Sequence, residues 1–255
     1  MGIADHILLG FEAVLYGSGS VPVLGFGIPL PLLTVCLGLV TGIVVGSIPG
    51  LAGPMAMAAS LGTAFLKTRA ELETPDIQFH LQPFSADSPG QGTHPFSAFT
   101  ASVLQLRPES TGHLALKSSS PEDHIAIHPN YLATKTDCDT IVAGVRIARA
   151  VCRADPVRSM ITEEHAPGPG IDDSDDEAIL EWVRNTATTI YHPTGTCKMG
   201  PDSLAVVDSR LRVHGIEGLR VADASIMPVI TSGNTNAPAI MIGEKASDMI
   251  LEDAA

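Results

Sequence analysis

The chain has 255 residues, enough for one large domain or two smaller ones, and its 45% hydrophobic and 17% charged content excludes wholesale disorder. Its 15 Lys and Arg stand against 28 Asp and Glu, a net charge of −13, which excludes the basic face that a nucleic-acid binder needs. The charge is unevenly spread. Ala13 to Leu66 holds no charged side chain, so the mean hydropathy of +0.24 averages two unlike parts.

Cys36, Cys138, Cys152 and Cys197 form no C-x-x-C pair, so neither a zinc knuckle nor a thioredoxin-type site is written here, and reduced thiols in a cytosolic setting are expected. Pro31 to Ile48 is uncharged and mostly apolar, close to the length of one membrane crossing. Gly38, Gly42 and Gly46 recur every four residues, the small-x-x-x-small spacing of closely packed membrane helices. A helix over 31–48 is therefore expected; a buried Gly/Pro-rich core segment is the soluble alternative. The strings ADHILLGFEAVL and LLTVCLGLVTGIVVGSIPGLAG resemble the amino terminus of the large membrane subunit of tripartite tricarboxylate transporters. The family's G-x-x-x-G-x-x-P-G motif falls on Gly42, Gly46, Pro49 and Gly50. That family has many spans and this segment has one or two at most, so transport by this chain alone is not implied. Residues 1–52 are accordingly set apart from 53–255.

After Gly53 the text changes. Residues 54–66 read as a continued apolar helix or a buried small-residue segment. Asp76–Phe84 and Ser97–Leu106 alternate as strands do, and Gly112–Ser118 reads as another, with Ser/Pro/Gly-rich loops between them. A helix follows, with Thr136 and Asp139 as a capping pair and Ile141, Val145, Ala148 and Cys152 on one face until Pro156. Ser174-x-x-Glu177 announces a second, carrying Ile179, Trp182, Val183 and Thr186 at helical spacing. The acids at 172–177 lack the glycine and closing Glu of a calcium loop and suit a helix start. A last helix is expected from about Ala239 to Glu252. This order of elements predicts an α+β fold, an antiparallel sheet with helices packed on one face.

The chemistry is concentrated in two stretches. In Thr188–Gly200, TTIYHPTGTCKMG, His192 is fixed by the following proline, and the glycines let backbone approach a ligand closely. A histidine held this way suits general-base work near neutral pH. The second stretch, Leu219–Pro238, runs directly into the last helix. His124 and His128 flank a strand-like Ile-Ala-Ile rather than one helix face, and no metal site is assigned. Cys197, next to Lys198, reads as a packed cysteine.

These two strings resemble the carboxy-terminal half of the glucose–methanol–choline (GMC) oxidoreductases, choline-dehydrogenase-like members above all, over about Gly53 to Ile250. The resemblance implies an incomplete GMC substrate domain, FAD as cofactor and a small-molecule alcohol as substrate, with the electron acceptor left open between oxygen, a quinone and others. It makes His192, in H-P-x-G-T-x-x-M-G, the catalytic base. Asn234, with Asn236 as the second choice, takes the place of the residue that hydrogen-bonds the developing alkoxide. Asp223 and Ala224, in D-A-S-x-M-P, and Asn236 and Ala237 are implied at the flavin. No G-x-G-x-x-G occurs in the 255 residues, so the pyrophosphate cradle of such flavoproteins is not encoded here. The expectation is a chain that neither holds FAD tightly nor oxidises alcohols alone, cytoplasmic or attached to the inner membrane through 31–48. The alternatives are a non-catalytic membrane-anchored remnant and a transporter-subunit fragment with an unrelated tail.

Overall fold

The computed structural model describes residues 20–23, 26–29, 60–87 and 92–254. The expected helix over 31–48, like most of 1–52, lies outside the described residues. Within that segment, β1 (Ser20–Val23) and β2 (Phe26–Pro29) pair antiparallel, Ser20 opposite Pro29. No described helix is long and apolar enough to cross a membrane.

Strands β3 (Gly62–Leu66), β4 (Ile77–Gln82) and β5 (Thr100–Gln105) form a three-stranded sheet in that order. Its antiparallel sense follows from Leu61 N–H donating to Leu81 O and Asp76 N–H donating to Leu66 O. Ile77, Gln78, Phe79 and His80 are buried in succession, so both faces of β4 are covered, as suits the middle strand. β3 corrects the expectation for 54–66. Gly62–Leu66 alternates half-buried and exposed positions with a period of two, and that pattern serves a strand, not a helix. The expected third strand is also shorter, with only His113–Ala115 (β6) pairing with Ala126–His128 (β7) as a separate two-stranded sheet. The α+β class therefore holds, with small antiparallel sheets in place of one continuous sheet.

Helix α1 spans Lys135–Cys152, α2 Asp176–Thr186 and α3 Asn236–Ala254. The caps differ from those expected by one or two residues. At α1 the hydroxyl of Thr134, not Thr136, accepts from Asp137 N–H at 3.2 Å, while Asp139 pairs with Lys135. At α2 Asp175, not Ser174, accepts from Ala178 N–H at 2.9 Å, because Ser174 is engaged by Asp172. The α1 face turns slightly from the expected one: Val142 and Val145 are buried, together with Asp137 and Arg149. The Asp137 carboxylate accepts from Gln105 Nε2 at 2.7 Å and from the backbone N–H groups of Glu109 and Ser110 at 2.9 and 2.8 Å. Burial alone pushes this carboxyl up; the donors overcome that and hold it below the ordinary aspartate value.

The described residues group into two compact units. One holds residues up to Phe65 with Phe79–Val103 and Val145–Gly168; the other holds Leu66–Gln78, Leu104–Gly144 and the chain from Pro169 onward. Both sequence stretches that carry the chemistry lie in the second. There, Val207, Leu211, Ile226, Met227, Ile242 and Ala246 form one buried apolar cluster that joins the irregular 199–227 region to α3.

Candidate active site

Three segments of this second unit converge on His192. The first descends from α2, which ends at Thr186, and reaches the histidine through Tyr191. Tyr191 sits at φ 62, a left-handed conformation rare for an aromatic residue. Its N–H is satisfied by the Thr189 hydroxyl at 3.0 Å. Pro193 then keeps His192 out of helical geometry. Gly195 turns the chain at φ 83, where an added Cβ would also come within 3.3 Å of Met227 O. The positive φ favours glycine there, and the Cβ contact would add a smaller strain.

The second segment is the D-A-S-x-M-P stretch, which forms a single 3-10 turn over Ala224–Ile226. Asp223 caps it, accepting from the Ser225 N–H at 2.8 Å and from the Ser225 hydroxyl at 2.5 Å. The turn is laced to the histidine motif by Cys197 N–H to Ser225 O, 3.0 Å, and Met199 N–H to Ile226 O, 2.8 Å. The two stretches singled out in the sequence thus lie side by side.

The third segment is the start of α3. Thr235 is 8% exposed, and its carbonyl accepts the Ala239 N–H at 2.9 Å as the helix begins. Its hydroxyl oxygen lies 2.8 Å from His192 Nδ1. The other ring nitrogen, Nε2, is buried and has no hydrogen-bond partner among the described residues. Burial lowers the His192 pKa from its ordinary value, so the ring is neutral at pH 7. An unpartnered buried N–H and an unpartnered buried lone pair both carry a cost, and orphaned N–H groups are the rarer of the two in folded proteins. The arrangement therefore favours the tautomer with the proton on Nδ1, donated to Thr235, and a bare lone pair on Nε2.

Of the residues expected from the sequence, His192 lies at this junction. The group that meets its ring, however, is the Thr235 hydroxyl, while Asn234 and Asn236 stand on either side of Thr235 and are exposed. Ala237 is exposed at the first turn of α3, Ala224 is half-buried, and Asp223 is exposed with one carboxylate oxygen committed to its own turn. Thr235 is the residue that sequence reasoning missed. A threonine directly before a helix beginning Asn-Ala-Pro carries a capping signature, and that signature was available.

The far end of α3 is gripped by arginines. Arg210 donates to Met249 O at 3.1 Å, Glu252 at 3.1 Å and Asp253 at 2.8 Å, and Arg220 also pairs with Asp253. Cations at a helix carboxyl end suit its dipole. Because Arg210 and Arg220 sit in the region that carries the Val207 cluster, α3 is held at both ends against the same core.

Residues 108–243 match the family model described as GMC oxidoreductase. The chain belongs to the GMC oxidoreductase family. Among curated relatives it is 44% identical over 189 residues to the oxygen-dependent choline dehydrogenase of Cronobacter sakazakii, covering 74% of this chain and 34% of that protein. It is 42% identical over 187 residues to the alcohol dehydrogenase [acceptor] of Pseudomonas putida, covering 73% and 34%. The chain thus spans about a third of the length of these relatives. Pyridoxine 4-oxidase from Mesorbium loti matches in structure with a TM-score of 0.66 at 26% identity, covering 75% of this chain and 38% of that one. Formate oxidase matches with a TM-score of 0.68 at 22% identity, covering 89% and 42%, a likeness of fold alone.

Proposed function

We propose that this region is the proton-handling part of an FAD-dependent oxidoreductase that oxidises a small alcohol, with His192 as the base. The observation that carries the reading is the buried, unpartnered Nε2 of His192, in a ring whose opposite nitrogen is held by Thr235. A base needs a free lone pair and a fixed orientation, and burial keeps this ring unprotonated at neutral pH so that it can accept a proton.

The residues present fit the flavin end of the cofactor. The exposed Asn236 and Ala237 at the start of a helix offer close backbone to an approaching ring. Asp223 and Ala224 complete the set that would hold it. Bound flavin supplies an acceptor for the hydride leaving the alcohol carbon. His192 Nε2 takes the hydroxyl proton, and Thr235 accepts from Nδ1–H and stabilises the imidazolium that results. The Asn234 carboxamide donates to the alcohol oxygen as negative charge builds there. General-base action of this kind contributes about 10²–10⁴-fold. The names of the relatives, choline dehydrogenase and alcohol dehydrogenase, support a small primary alcohol as substrate.

The test is complementation. The chain is co-expressed with the amino-terminal two thirds of the Cronobacter sakazakii choline dehydrogenase and assayed with choline and an artificial electron acceptor. The expected result is no turnover by the chain alone, and turnover on complementation that His192→Ala removes. Flavin-loaded complemented protein whose alcohol oxidation is unchanged by His192→Ala would overturn the reading. Residues 1–52, with their transporter-like text, are read as a separate membrane-associating segment. That role is tested by comparing detergent dependence of the full chain with that of residues 60–255.

A further inference from the structure

We propose that Asp87, His94 and His165 form a zinc site, outside the His192 centre and independent of the function proposed for it. The site lies wholly within the other unit, between the β4–β5 connection and the loop that follows α1. One ligand atom from each residue lies within 4.8 Å of the others, and this is the one such group of His, Cys and acidic side chains found among the described residues. Two imidazoles and a carboxylate are a borderline donor set that suits zinc, and they leave a fourth position for water.

The two histidines are held in place by what surrounds them. His94 N–H donates to Ser85 O at 2.9 Å, and the Ser85 hydroxyl lies 2.9 Å from His94 Nδ1. Without an ion, His94 Nε2–H donates to Asp87 Oδ1 at 3.1 Å and Nδ1 accepts from the Ser85 hydroxyl; zinc at Nε2 would displace that proton, with Nδ1–H then donating to the same Ser85 oxygen. A hydroxyl on the far nitrogen is the outer partner that metal-binding histidines commonly have. Phe96 stacks on the His94 ring at 4.9 Å and 15°, and His165 meets that ring nearly edge-on at 5.0 Å and 66°. Phe96 also packs against His165 at 5.2 Å, so one aromatic ring braces both imidazoles.

His165 is anchored through its neighbours. Arg149, 5% exposed, pairs with Glu164 at 2.7 Å and donates to Gly168 O at 3.0 Å, fixing the loop on both sides of the histidine. Asp87 and His165 are exposed, so an ion has a route in. Ligand atoms on one tetrahedral zinc stand about 3.4 Å apart, so separations of up to 4.8 Å in this trio must close by as much as ~1.4 Å. Asp87 Oδ1 and His94 Nε2 already stand 3.1 Å apart, so the closing movement is that of His165, which is exposed. A bound ion would pin two loops that lie far apart in the sequence, and it would stabilise the unit by mass action.

The full chain is titrated with zinc chloride by calorimetry, and with cobalt(II) by visible absorption. The expected result is one ion per chain and the intense absorption of four-coordinate cobalt. His165→Ala and Asp87→Asn, both at exposed positions and both checked for native circular dichroism, should weaken binding by more than tenfold. Ser85→Ala, which removes only the outer partner, should weaken it by about tenfold. His128→Ala, which breaks the surface pair that stacks with His113 at 4.5 Å, should leave affinity unchanged. His192→Ala should do the same. Stoichiometric binding that survives both His165→Ala and Asp87→Asn, or no binding to the folded wild-type chain, would overturn the proposal.

Discussion

Thr235→Val tests the base assignment without any flavin. The substitution keeps the shape of the side chain but removes the hydroxyl that lies 2.8 Å from His192 Nδ1. If Nδ1–H is the donor, the bond persists in both protonation states of the ring and is stronger in the charged one. A hydrogen bond between neutral groups contributes about 0.5–1.5 kcal/mol and one to a charged group about 1.5–3 kcal/mol. The hydroxyl thus favours imidazolium by about 1–1.5 kcal/mol, or about one pKa unit. His192 is already lowered by burial. Thr235→Val should lower it by about one unit more. Nitrogen NMR of histidine-labelled chain, titrated with pH, measures the shift directly and also shows whether Nε2 carries an imine-type lone pair. The opposite sign, a pKa that rises in Thr235→Val, would mean that Thr235 donates to Nδ1. Nε2 would then hold the proton, and His192 could not act as the base.

Other expectations follow from the same contacts. Asp137→Ala leaves Gln105 and two backbone N–H groups without their acceptor and should cost about 3–5 kcal/mol in guanidinium unfolding. The folded Asp137 pKa is lowered, so its contribution is full above the unfolded aspartate value of about 3.9 and is lost as pH falls through the lower folded value. For His192, whose pKa is also lowered, stability should be full above about pH 6.5 and fall as pH drops toward the folded value; thermal melts of wild type and His192→Phe across that range would separate the effect. Gly195→Ala, at φ 83 and facing Met227 O, should destabilise by about 1–3 kcal/mol and shift the His192 NMR signals. Arg149→Met removes the grip on Glu164 and Gly168 and should speed proteolysis of the 161–170 loop while leaving the His192 pKa unchanged.

The parts of the fold visible in the sequence are those where periodicity and chemistry coincide. Helix α2 was legible because Ile179 and Val183 repeat at helical spacing behind a run of acids, and both are buried. Its cap was misplaced because Asp172, Ser174 and Asp175 all suit the role. Only the folded turn shows that Asp172 engages Ser174 and leaves Asp175 to cap. Strand β3 was obscured by the small apolar residues before it, which carry no period of their own. The division into small sheets was not legible at all, since strand alternation says nothing of which strands pair. At the site, His192 stood out by its motif, and the structure sets its ring against Thr235. Thr235 was overlooked because a hydroxyl between two asparagines has no chemistry of its own until it meets the ring.

The geometry at His192 depends on a short span of chain. His192 and Thr235 are 43 residues apart, yet each is tied to the Val207–Ile242 cluster by its own segment. His192 is tied through the Cys197 and Met199 bonds to the 3-10 turn, and Thr235 through α3, whose Ile242 and Ala246 are buried and whose last turn Arg210 and Arg220 hold. None of these contacts needs a cofactor. The orientation of the ring and the burial that lowers its pKa are therefore set within residues 188–254, before any substrate arrives. That is the condition under which a base costs no reorganisation at the moment of reaction. The packing that holds His192 against Thr235 is local to this span, and Asn234, Asn236 and Ala237 beside it are exposed.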